Sequence, residues 1–234
     1  MDFESHSLGV LVDCHNELCA ALKSLGGKQA RGYLDNFKFW SSDYMSHASL
    51  GFIHLRKAGC IEESRFLVRP AIELMFKQRA IERRPDLIYR LGLTETRSDW
   101  TWIKALAEES GETFNSSTHD AELKRFEKDC RKLFPSGDFR DVKLTIEELA
   151  KVIDGGAAYY NSHYRTHCKF THATLRAIIG GLNEVTTDED NLTMIRNVLC
   201  SIDALVSMGG VAPKLDRLRS AKEDLEKERM DGAQ

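Results

Sequence analysis

The sequence is poor in the residues that make a chain reverse often. Pro accounts for 4 and Gly for 16 of its 234 residues, too few for the many tight turns of a β-sandwich or barrel, so the balance favours helices. No stretch approaches the roughly 18 consecutive apolar residues of a membrane span, so no membrane association is expected. The first residues, MDFESHSLGVLVDCHNE, carry acidic charges and lack a basic stretch followed by an apolar run. No secretory signal is expected, and a cytoplasmic location follows as the expectation. Cys14, Cys19, Cys60, Cys130, Cys168 and Cys200 form no CxxC pair. Most fall where a helical core face would be, which points to reduced, buried thiols and not to a disulfide or zinc framework. The chain also lacks a P-loop, a GxGxxG after a strand, a GxSxG and an HExxH, which removes most nucleotide-handling and hydrolase classes. It has no ExxH pair of the kind a ferritin-like metalloenzyme needs. No cofactor is expected.

What is present is ordinary globular composition, 42% hydrophobic and 29% charged, in a chain long enough to bury a core without metals or disulfides. Leu11, Cys14, Leu18, Ala21, Leu22 and Leu25 recur at three- and four-residue steps, which predicts an amphipathic helix over 8–25 closed by Gly26-Gly27. Tyr33, Phe37, Trp40 and Tyr44 continue that spacing in a helix over 28–58, an aromatic seam expected to pack in the core. A third helix over 61–84 is apolar on nearly every side around FLVRPAIELMF and should be central, with a kink at Pro70 and an end at Pro85. Short helices are predicted over 86–91 and 98–110, then one over 118–134 opened by Ser117 and Asp120. Thr145 with Glu148 caps the next helix, which Gly155-Gly156 interrupts. A helix then runs to Gly180-Gly181, and Thr187 with Asp190 forms the capping box of an amphipathic helix ending at Gly209-Gly210. The expectation is an all-α bundle of about eight to nine helices. It forms a single domain over 1–234, with 92–144 as a peripheral insertion and 213–234 as a charged, solvated C-terminal helix.

Net charge is −3, but unevenly spread. Residues 56–90 hold nine basic and five acidic side chains, and residues 161–182 hold Arg165, Lys169 and Arg176 with no acid. Such positive segments on a mildly acidic chain could steer RNA or another anionic ligand to one place. Two charged stripes lie inside them. Arg65, Arg69 and Glu73 are four apart along the third helix, where charge in an apolar setting must be paired or hydrogen-bonded. In YYNSHYRTHCKFTHAT, residues 159–174, Arg165, Lys169 and His172 return to nearly one helical face. His163 and His167, one turn apart, have no nearby acid to complete a metal site, and none is expected.

These two segments carry a resemblance. SRFLVRPAIELMF with the later YYNSHYRTHCKFTHAT resembles a widespread set of bacterial helical proteins known as a domain of unknown function. Arg65, Arg69, Glu73, Tyr160, Tyr164, Cys168 and His172 match that family's Arg-x3-Arg-x3-Glu helix and its Tyr…His segment. The resemblance spans roughly residues 30–205 and implies no activity. More distantly, Arg165 followed after six residues by His172 is similar to the motif of the helical HEPN ribonucleases. Thr166 stands where active members carry a polar Asn, Asp or His.

That resemblance implies a metal-independent endoribonuclease of the toxin or phage-defence type, its site commonly formed across a homodimer. His172 would be general acid/base, Arg165 the stabiliser of the transition-state charge and the 2′-hydroxyl the nucleophile. The competing expectation is a non-catalytic helical binding module in which Arg65, Arg69 and Glu73 form a structural polar network.

Overall fold

Leu11, Cys14, Leu18, Ala21 and Leu25, the stripe predicted for the first helix, are all buried along one side of α1 (Phe3–Leu25). The same helical period organises the rest of the computed structural model, which describes residues 3–26, 32–111, 117–171 and 187–232. The elements in order are α1, α2 (Gly32–Lys57), α3 (Ile61–Arg83), α4 (Leu87–Ser110), α5 (Ser117–Leu133) and α6 (Ile146–Val152). Then come α7, α8 (Thr187–Val206) and α9 (Leu215–Gly232). The α7 helix runs over 156–171 and contains a π-helical turn, Tyr160–Tyr164, between Gly156–Tyr159 and Arg165–Thr171. Among the described residues there are thus nine helices and no strand, an all-α bundle. No helix among them is long and apolar enough to cross a membrane. His172 and the helix end predicted at Gly180-Gly181 lie outside the described residues, as does the side chain of Lys169.

The α3 helix is central, packing against α2, α6, α7 and α8, while α1 lies across α8 and α2. Its Val68, Ala71, Ile72 and Phe76 are fully buried and meet Ile195, Val198 and Ile202 of α8 in one continuous core. Each large aliphatic or aromatic side chain so buried contributes about 1.5–3 kcal/mol relative to exposure. α3 continues through Pro70, whose missing N–H falls opposite Phe66, a residue on the exposed side of the helix. A buried polar tie joins three helices beside this core. Gln78 of α3 donates to Ser41 Oγ of α2 at 2.9 Å and accepts from Ser201 Oγ of α8 at 3.0 Å. The charged α9 helix buries Leu215, Leu218 and Leu225 on one face and packs against α1 and α8.

Local signals acted largely as their chemistry requires. Thr145 and Glu148 form the reciprocal capping box of α6. Gly155, at φ +69°, supplies the left-handed residue that separates α6 from α7. Two expectations are corrected. The separate helices predicted over 86–91 and 98–110 are one helix, α4. Gly92 inside it is no break: a Cβ there would meet the Phe126 ring at 2.7 Å, so glycine makes room for α5. The aromatic seam of α2 is core only in part: Phe37 packs against the core and Tyr33 meets Phe126 of α5, whereas Trp40 and Tyr44 are 63% and 54% exposed. Helical spacing put these rings on one face but could not say how far other elements would cover it.

Candidate functional site

The charged residues of α3 find partners on α4, α7 and α8. At their centre stands Asp190, in the first turn of α8 and wholly buried. Its Oδ2 accepts from Arg56 Nη2, in the last turn of α2, at 2.6 Å and from Arg65 Nε of α3 at 3.0 Å. Its Oδ1 lies 3.0 Å from Nε2 of His167, a fully buried residue of α7. The other ring nitrogen, Nδ1, is 2.8 Å from the His163 carbonyl, which can only accept, so Nδ1 carries a proton. Arg65 Nη1 also donates to both carboxyl oxygens of Glu62, at 2.9 and 3.1 Å. Asp190 therefore gathers groups from three other helices, and the N-terminal end of α8 further favours its negative charge.

The site is demanding because it is dry. The Arg56 side chain is 1% exposed, and its Nε and Nη1 make no hydrogen bond. Its guanidinium instead lies 4.9 Å over the Phe52 ring, which returns part of the lost hydration as a cation–π contact. Burial pulls the Arg56 pKa below its ordinary value, against the attraction of Asp190. Removing the carboxylate would leave this cation with no anionic partner in the cluster.

One turn further along α3, Arg69 Nε donates to Glu73 Oε1 at 3.1 Å, and the Tyr164 hydroxyl of α7 donates to the same oxygen at 2.7 Å. The Arg69 guanidinium lies 5.7 Å from the Tyr164 ring centre, and Tyr160 stacks on Tyr164 at 5.0 Å. Burial, with the hydrogen bond to Glu73, pushes the Tyr164 phenol well above its usual range. Phe76 meets Tyr159, Tyr160 and Tyr164, so the two polar limbs close over an aromatic contact between α3 and α7.

The two stripes read from the sequence therefore meet in part. Arg65, Arg69, Glu73, Tyr160 and Tyr164 are brought together. Arg165 is exposed on α7, its Nη1 donating to Asn161 Oδ1 at 3.5 Å. Three residues of the cluster were not identified as such. Asp190 had been assigned to a capping box, His167 to a pair with His163, and Arg56 to no role. A signal for Asp190 exists, since it stands four and eight residues before Met194 and Val198 on the buried face of α8.

The positive segment of residues 56–90 is cancelled by tertiary pairing. Arg56, Arg65 and Arg69 are engaged as above, and Lys77 pairs with Glu95. Arg79 pairs with Glu82 and Asp203, Arg83 with Asp154, and Arg84 with Asp86. Arg90 pairs with Asp138 and Glu148. Eight of the segment's nine basic residues thus contact a carboxylate. The excess counted along the chain does not make an open cationic surface.

Residues 44–191 match the model of a family of unknown function (DUF5677), and the chain belongs to that family. The matched span begins within α2 and ends just past Asp190, so it contains every residue of the cluster. No curated protein and no solved structure matches the chain.

Proposed function

We propose that the chain is a helical binding module in which Arg65, Arg69 and Glu73, with Tyr160 and Tyr164, serve as a structural polar lock. The observation that supports this reading is the wholly buried Asp190, which ties Arg56, Arg65 and His167 from three other helices. Arg69 and Glu73 are likewise engaged with each other and with Tyr164. Groups committed in this way hold helices in register. The reading predicts that Arg69→Ala or Glu73→Ala lowers the thermal midpoint while His172→Ala leaves it unchanged. An unchanged midpoint in the α3 variants would overturn it.

A second reading is the HEPN-like metal-independent endoribonuclease, favoured by Arg165, which is exposed and has no carboxylate within salt-bridge distance among the described residues. His172 would act as general acid/base near neutral pH and Arg165 would stabilise charge on the phosphorane-like transition state, with Lys169 adding to the attraction of RNA. Such a site would be completed across a homodimer. Incubating single-stranded RNA with the wild-type chain, His172→Ala and Arg165→Ala tests it. Cleavage by the wild type alone supports it, whereas no cleavage, or equal cleavage by all three, refutes it. Sedimentation equilibrium reports the dimer.

A further inference from the structure

A cleft of about 520 Å³ opens between α3, the α6–α7 turn, α8 and α9, away from the Asp190 carboxylate. Its volume falls within the roughly 300–1,000 Å³ of sites that hold small organic ligands. Phe76, Ile153 and Tyr159 give it an apolar wall. The Tyr159 hydroxyl is buried, with the Thr193 and Arg196 side chains as its polar neighbours, and the Arg196 guanidinium lies 4.9 Å over its ring. The π-helical turn of α7 starts at the next residue, and such turns concentrate at functional sites.

Basic side chains outnumber acidic ones among the residues lining the cleft. Three of them are tied to partly shielded carboxylates: Arg79 to Glu82 and Asp203, Arg196 and Lys222 to Glu226. Arg83 differs, because its partner Asp154 sits on the α6–α7 turn with its side chain 84% exposed. An exposed pair of this kind is held weakly, so an incoming anion can take the carboxylate's place at little cost. The guanidinium fork then offers two parallel donors to a carboxylate or phosphate.

We propose that this cleft binds a small organic anion, its carboxylate or phosphate head on Arg83 in place of Asp154. Its apolar body lies along Phe76, Ile153 and the Tyr159 ring. The proposal rests on the binding-module reading and names the ligand class of that module.

Anilinonaphthalene sulfonate, an aromatic body with an anionic head, is the probe, followed by its fluorescence, with octanoate and octanol as competitors. Arg83 and Asp154 are exposed, so neither substitution should disturb folding, which circular dichroism checks. Saturable binding is expected in the wild type, weakened about tenfold or more in Arg83→Gln, as loss of a charge-assisted contact implies. In Asp154→Asn binding should tighten severalfold, because the internal competitor is gone. Octanoate should displace the probe and octanol should not. Equal affinity in all three proteins, displacement by octanol as readily as by octanoate, or no saturable binding would overturn the proposal. These failures would leave the lock standing if Asp190→Asn still destabilises the fold. A stable Asp190→Asn protein would instead refute the lock without touching the cleft.

Discussion

Asp190→Asn removes one charge, and almost no volume, from the centre of the buried cluster. Arg56 would lose the anionic partner of its one hydrogen bond, and Arg65 would lose its wholly buried partner while its pair with Glu62, whose side chain is 66% exposed, remains. His167 would lose the carboxylate 3.0 Å from its Nε2. Breaking a buried ion pair by removing one partner costs about 3–5 kcal/mol. The amide oxygen can still accept from Arg56 and Arg65, which places the expected loss near the lower end, about 3 kcal/mol. For a chain of this size that corresponds to a fall of roughly 6–12 °C in the thermal midpoint. The same change at Asp141, whose pair with Arg97 is exposed, should leave stability close to the parent's. Thermal and urea unfolding of both variants, followed by far-UV circular dichroism, gives the comparison. If Asp190→Asn unfolds within about 1 kcal/mol of Asp141→Asn, the reasoning from burial and pairing fails.

Other outcomes follow from the same structure. Gly156→Ala would drive its Cβ into the backbone carbonyl of Ala150 and should destabilise the α6–α7 junction by more than about 1 kcal/mol in urea unfolding; parent-like stability would show that the turn can relax. Burial, its largest cause, holds the His163 imidazole below its ordinary 6.5, and burial with nearby His54 and His47 does the same for His15. The unfolded chain then binds protons that the folded chain refuses. Stability is full above about pH 6.5 and falls as pH drops towards the folded values. His163→Gln and His15→Gln should flatten that slope, and an unchanged slope in both would contradict the assignment. Burial pushes the thiols of Cys14 and Cys200 up to about 12 and that of Cys130 to about 11. These three should resist a disulfide reagent near pH 8 in the native state while exposed Cys19 reacts; rapid native modification of the buried three would refute their placement.

Helix positions were legible wherever one stripe decided them, as in α1 and in the apolar face of α8. They were not legible where a tertiary neighbour set the choice. Gly92 reads as a weak point in a helix until the Phe126 ring is placed against it. Trp40 and Tyr44 share a face by their spacing, but whether that face is covered depends on elements elsewhere in the chain. The α3 stripe was recognisable because charge in an apolar helix demands partners. Its chief partner was not, because Asp190 lies 125 residues from Arg65 and completes a Thr-x-x-Asp pattern identical to a helix cap. The positive excess of residues 56–90 misled for a related reason, since counting along the chain cannot see pairs such as Arg79 with Asp203.

The structural lock is tested most directly by a double-mutant cycle on Arg65→Gln and Asp190→Asn, with unfolding free energies measured for the parent, both single variants and the double variant. Contact at 3.0 Å between two buried charges predicts a coupling of about 2 kcal/mol, the double variant losing less than the sum of the singles. Losses that add to within about 0.5 kcal/mol would mean that the two residues act independently, and would contradict the lock.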